Sequence, residues 1–135
     1  MASKGTETLK LIIFTMNISH SACRQLISAL NRMNVSFQVI TVRQELQETM
    51  CRMRTDDALF VFLLTNVEGI TILNEISSQI QDRKIITILP DDSEYFRSIG
   101  CSVLPRFQAF LSDDMFMVAE VATRILVSTT MPATS

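Results

Sequence analysis

The chain has 135 residues, the length of one domain able to bury a core of its own. It carries 12 Lys and Arg against 14 Asp and Glu, and 47% of its residues are hydrophobic against 19% charged, which excludes a disordered chain and leaves no global basic field for nucleic acid. No window approaches the roughly 18–20 uncharged apolar residues that span a bilayer, and residues 1–10 lack the apolar segment of a secretory signal, so a cytoplasmic location without membrane insertion is expected.

Strands and helices alternate along the chain. Residues 9–15 form a short β-branched apolar run, and residues 21–33 then place Ala22, Leu26, Ala29, Leu30 and Met33 at helical spacing. The second strand is expected over 37–42, followed by a helix over 43–53 with Leu46, Met50 and Met53 inward. Residues 58–64 are seven apolar residues without alternation, the signature of a strand covered by helices on both faces. A helix over 68–80 carries Ile70, Leu73, Ile76 and Ile80 on one face and leads to a fourth strand over 84–89. A short helix over 92–98, a fifth strand around 101–104 and a long helix over 113–127 complete the series. Five βα units with right-handed crossovers predict an α/β fold, a doubly wound parallel sheet of order 2-1-3-4-5 with helices on both faces. The domain is expected over 9–127, with a flexible N-terminus over 1–8 and a flexible tail over 128–135.

Open sheets of this kind keep their chemistry at the carboxyl ends of the strands. Here those ends hold Thr15-Met16-Asn17, Thr65-Asn66 and Pro90, nearly stripped of acids and bases. The three cysteines, Cys23, Cys51 and Cys101, are odd in number and lack C-x-x-C spacing, so they read as reduced packing residues rather than a zinc site or disulfide framework. A single histidine, His20, is too few for a histidine-based metal site, and its place after Ser19 suits a helix cap. No metal and no cofactor is expected.

The element order, together with Asp57-Ala58-Leu59-Phe60-Val61-Phe62-Leu63-Leu64 followed by Val67-Glu68-Gly69-Ile70, and with Val103-Leu104-Pro105-Arg106-Phe107, resembles a bacterial response-regulator receiver domain of two-component signal transduction. That resemblance implies a flavodoxin-like fold and sites for magnesium and phosphoryl groups. Carried over position by position, those sites are gone. The acidic pair that ends the first strand corresponds to Thr15 and Met16, and the phosphoacceptor aspartate falls within Phe62, Leu63 and Leu64. The hydroxyl that senses phosphorylation corresponds to Leu89, and the lysine before the proline to Leu104. Without carboxylates there is neither a ligand set for a hard dication nor a nucleophile for phosphoryl transfer. The resemblance therefore implies a degenerate, or pseudo-, receiver that is not an enzyme.

The remaining acidic pairs read as turn and cap residues: Asp91-Asp92 with Glu94 ahead of a short helix, Asp56-Asp57 before the third strand, and Asp113-Asp114 before the last helix. The last helix is the positive clue. At 100° per residue Met115, Val118, Ala122, Ile125 and Leu126 form one arc, while Phe116 and Met117 fall opposite it with Glu120, Thr123 and Arg124. Large apolar groups on a face that should be wet mark an interface. Receivers commonly dimerise or bind targets through the fourth helix, fifth strand and fifth helix, so the resemblance implies a partner surface of Tyr95, Phe96, Arg106, Phe107, Phe116, Met117, Glu120 and Arg124. The expected function is a phosphorylation-independent protein-interaction module in bacterial signalling, with a protein partner or a homodimer bound there. The alternative is a sensor of a small anion or nucleotide at the carboxyl edge of the sheet, where the hydroxyl-rich loop 15–21 opens onto a helix N-terminus.

Overall fold

The structure is a computed structural model that describes residues 10–54, 57–80, 82–90 and 106–130, with side chains up to residue 127. In chain order the elements are β1 (Lys10–Phe14), α1 (Ser21–Arg32), β2 (Gln38–Ile40), α2 (Arg43–Arg52), β3 (Ala58–Leu63), α3 (Val67–Glu75), α4 (Ser77–Ile80), β4 (Lys84–Leu89), β5 (Phe107–Phe110) and α5 (Met115–Thr130). The strands pair in parallel in the order β2-β1-β3-β4-β5, so the expected flavodoxin-like α/β sheet is what forms.

The apolar strands dictate two helical layers. Every residue of β3 and of β4 is buried, and because side chains alternate across a sheet, each strand must feed a core on either face. On one face Leu59, Val61 and Leu63 pack with Ile86 and Ile88 under Leu26 and Leu30 of α1 and Val118 and Ala122 of α5. On the other, Phe60 and Phe62 join Phe14 and Ile85 under Leu46 and Met50 of α2, Ile70 and Leu73 of α3, and Ile80 of α4.

Two expectations need correction. The helix expected over 68–80 is broken: α3 closes at Ile76, whose backbone (φ −101°, ψ 11°) leaves the helical region, and Ser77 and Ser78, which favour caps over helix interiors, begin the separate turn of α4. The fifth strand is Phe107–Phe110, in register with Ile86–Leu89 as Ile86↔Phe107 to Leu89↔Phe110, rather than a strand around 101–104, which lies outside the described residues. The expected helix over 92–98 lies outside them as well.

Thr87 is a misfit in β4. It is 3% exposed, and its hydroxyl has no hydrogen-bond partner among the described residues. A buried unpaired hydroxyl costs about 1–3 kcal/mol, whereas an apolar group of the same shape costs nothing comparable. Thr87→Val is therefore expected to stabilise the fold by about 1 kcal/mol, read as a higher urea midpoint at unchanged m-value. A lowered midpoint would mean that the hydroxyl is engaged.

Candidate functional site

The carboxyl rim of the sheet uses its polar groups on itself. The β1–α1 loop is held by the Asn17 amide donating to Thr15 Oγ1 at 3.2 Å and the Ser19 hydroxyl donating to Asn17 Oδ1 at 3.1 Å. His20 caps α1, its Nδ1 accepting from the Ala22 amide at 3.0 Å. Across the rim Asn66 caps α3, accepting from the Gly69 amide at 3.0 Å. Gly69 lets α3 approach closely there, since a Cβ would meet Leu64 Cδ2 at 3.2 Å and Leu64 would have to give by a few tenths of an ångström. Among the described residues no group of three or more His, Cys, Asp or Glu is placed to hold a metal ion.

The acidic pairs that the structure describes take the roles expected of them. Asp113 Oδ2 accepts from the Phe110 amide at 2.9 Å and closes the turn after β5, and Asp114 Oδ1 accepts from the Phe116 amide at 2.9 Å and caps α5. Asp57 is an exposed turn residue whose amide donates to the Arg54 carbonyl. Asp91, Asp92, Glu94 and Asp56 lie outside the described residues. Of the cysteines, Cys51 is exposed and Cys23 is buried, and burial pushes the Cys23 thiol up, away from the thiolate form that a nucleophile needs.

The expected partner surface divides in four. Phe116, Glu120 and Arg124 lie together on the exposed side of α5, Phe116 with 39% of its surface open. Met117 does not share that exposure. It is half-buried against the core beneath α1 and α5, because α5 packs on α1 as well as on the sheet and its covered arc is wider than one core-facing stripe. Arg106 and Phe107 sit at the sheet edge instead. Arg106 is exposed, while Phe107 opens β5 and its ring packs half-buried on the same core as Ala109. Tyr95 and Phe96 lie outside the described residues.

The exposed part of this surface continues onto a neighbour that the sequence does not point to. The Arg32 guanidinium, at the last turn of α1, stands 5.4 Å from the centroid of the Phe116 ring, a cation–π contact that joins the two helices at the surface. One layer below, the Thr123 hydroxyl donates to the Ala119 carbonyl at 2.8 Å and lies 3.7 Å from Met33 Sδ, so Thr123 faces α1 rather than solvent. Along α1 a shallow groove of about 550 Å³ is lined by Ile18, Arg24, Ile27, Ser28, Asn31 and Arg32. Ile18, at the head of that groove, is 49% exposed. The periodicity of α1 marks Arg24, Ser28, Asn31 and Arg32 as outward, but only the packing of α1 on α5 places Phe116 beside them.

No protein-family model and no curated protein matches the chain. Solved structures that share its fold include one described as the RPS4 and RRS1 TIR domain heterodimer, at 16% identity and a TM-score of 0.55 over 90% of this chain and 98% of that one. A second is the sugar isomerase domain of the RpiR transcription factor from Sphaerobacter thermophilus, at 15% identity and a TM-score of 0.52 over 93% of this chain and 75% of that one. These likenesses define the class as a flavodoxin-like α/β domain. Among the described residues no helix is long and apolar enough to cross a membrane.

Proposed function

We propose that the chain is a phosphorylation-independent protein-interaction module of the pseudo-receiver kind, working in bacterial signal transduction and docking a partner or a second copy of itself through the outer face of α5. The observation that carries this reading is Phe116: a large aromatic ring 39% open to solvent in the first turn of α5, on the exposed side that Glu120 and Arg124 share. A protein gains nothing from leaving such a ring wet, while an interface anchored by an aromatic gains much. The charged neighbours Glu120 and Arg124 supply the polar rim that such anchors have. Further support comes from the rim of the sheet, where Thr15, Asn17, His20 and Asn66 are spent on turns and caps. The similar TIR structure is itself a heterodimer, in keeping with a fold that serves recognition.

The test is Phe116→Asp. Phe116 lies outside both buried clusters, so the fold should hold and the circular dichroism spectrum should match wild type, with a loss of about 1–2 kcal/mol in urea for the ring's partial burial and its contact with Arg32. Association should fall by tenfold or more, measured as solution mass by light scattering for self-association or by sedimentation with a purified partner. A variant that associates as well as wild type would overturn the reading.

A further inference from the structure

Resting on the reading of this face as an interaction surface, we infer that the groove along α1 receives an acidic amphipathic segment of a partner protein, its carboxylates on Arg24 and Arg32 and its apolar side chain between them. Both arginines line the groove, and Ile18 and Ile27 give it an apolar floor. Eight residues separate Arg24 from Arg32, which at 1.5 Å per residue sets their positions about 12 Å apart along the helix. Two turns of a partner helix cover about 11 Å, so carboxylates spaced by two turns meet both guanidinium groups.

Charge identifies the occupant. The whole chain is acidic by two charges, yet the exposed side of α1 and α5 carries Arg24, Arg32 and Arg124 against Glu120, with Asp114 at the start of α5 engaged by the Phe116 amide. Among the described residues the ion pair is Arg43–Glu75, between α2 and α3 on the opposite face of the sheet, and no described carboxylate pairs with Arg24 or Arg32. Guanidinium groups left without an anion beside exposed apolar side chains present paired donors in the geometry that a carboxylate fills. Arg32 is also held over the Phe116 ring, which fixes its plane at the surface and extends the apolar floor onto α5. A basic or neutral segment would leave those donors unanswered.

The experiment uses a fluorescein-labelled helical peptide with Glu at two-turn spacing around Leu and Phe, and the same peptide with Lys at each Glu. By fluorescence anisotropy the wild-type protein should bind the Glu peptide about 10-fold more tightly than the Lys peptide at low salt, a preference that fades as salt is raised. The double variant R24E/R32E should reverse the preference, a gain of binding that no misfolded protein would give. The single variants R24Q and R32Q should each weaken the Glu peptide. Equal binding of the two peptides, no binding of either, or a preference untouched by R24E/R32E would overturn the inference. Because F116D reports on association through α5 whatever the partner's charge, a lost response there with the peptide preference intact would count against the wider reading instead.

Discussion

Phe62→Ala is expected to cost about 3–5 kcal/mol, enough to consume much of the ~5–15 kcal/mol that holds a domain of this size together. Phe62 is fully buried in the central strand. Its ring meets Phe14 edge-on at 6.1 Å and stacks beside Phe60 at 6.2 Å, so truncation removes two aromatic contacts as well as the transfer energy of the ring. The hole would lie under Ile70 and Leu73 of α3 with strands on the other side, a site too closely framed to collapse. Urea unfolding at constant m-value measures the loss. A cost below about 1.5 kcal/mol would mean that the packing is looser than the exposure of Phe14, Phe60 and Phe62, at most 1%, implies. Phe116→Ala is the internal contrast: its ring is 39% open to water and its contact is with the Arg32 guanidinium, so its removal should cost about 1 kcal/mol, well below the loss at Phe62.

The same burial bears on the resemblance to receivers. Phe62, Leu63 and Leu64 occupy the stretch where that family carries its phosphoacceptor, and all three are at most 2% exposed. A carboxylate set there would lose its hydration with no arginine or lysine of the described rim beside it, and would stay protonated. The end of β3 is thus built as core.

Much of this architecture is legible in the sequence because the central strands have no polar face to disguise them. The unbroken apolar runs of β3 and β4 dictate burial on both sides, and that alone requires helices above and below a parallel sheet. The fifth strand is less legible for a physical reason. Phe107-Gln108-Ala109-Phe110 is four residues at the sheet's edge, paired with β4 alone, and so short a run of period two does not stand out from a loop. That displacement moved Phe107 from the expected surface into the strand. The candidate surface was legible as far as one helix shows it. Phe116, Glu120 and Arg124 stand out against the inward arc of α5, whereas Arg32, Arg24 and Ile18 join them only through the crossing of two helices, which no period of either one encodes.

Arg83→Lys is expected to lose about 2 kcal/mol although the charge is kept. Arg83 precedes β4 and reaches back to the carboxyl end of α2, where helical carbonyls have no partner of their own. Its Nη2 donates to the Met50 carbonyl at 2.7 Å, its Nη1 to the Arg54 carbonyl at 3.4 Å and its Nε to the Gln79 carbonyl at 3.2 Å, while its plane stands 5.8 Å from the Phe60 centroid. One side chain thus ties α2, α4 and the base of β3. Hydrogen bonds from a charged donor contribute about 1.5–3 kcal/mol when shielded; the bond to Met50 is the short, partly buried one, and the two exposed bonds add little. A lysine ammonium can follow one carbonyl but cannot hold three directions in a plane or lie flat beside Phe60. The loss should appear first as fraying of α2, with faster exchange of the Met53 amide, which donates to Thr49, and then in the global urea midpoint. A lysine variant as stable as wild type, with Met53 still protected, would show that positive charge at the end of α2 is sufficient and the guanidinium fork is not.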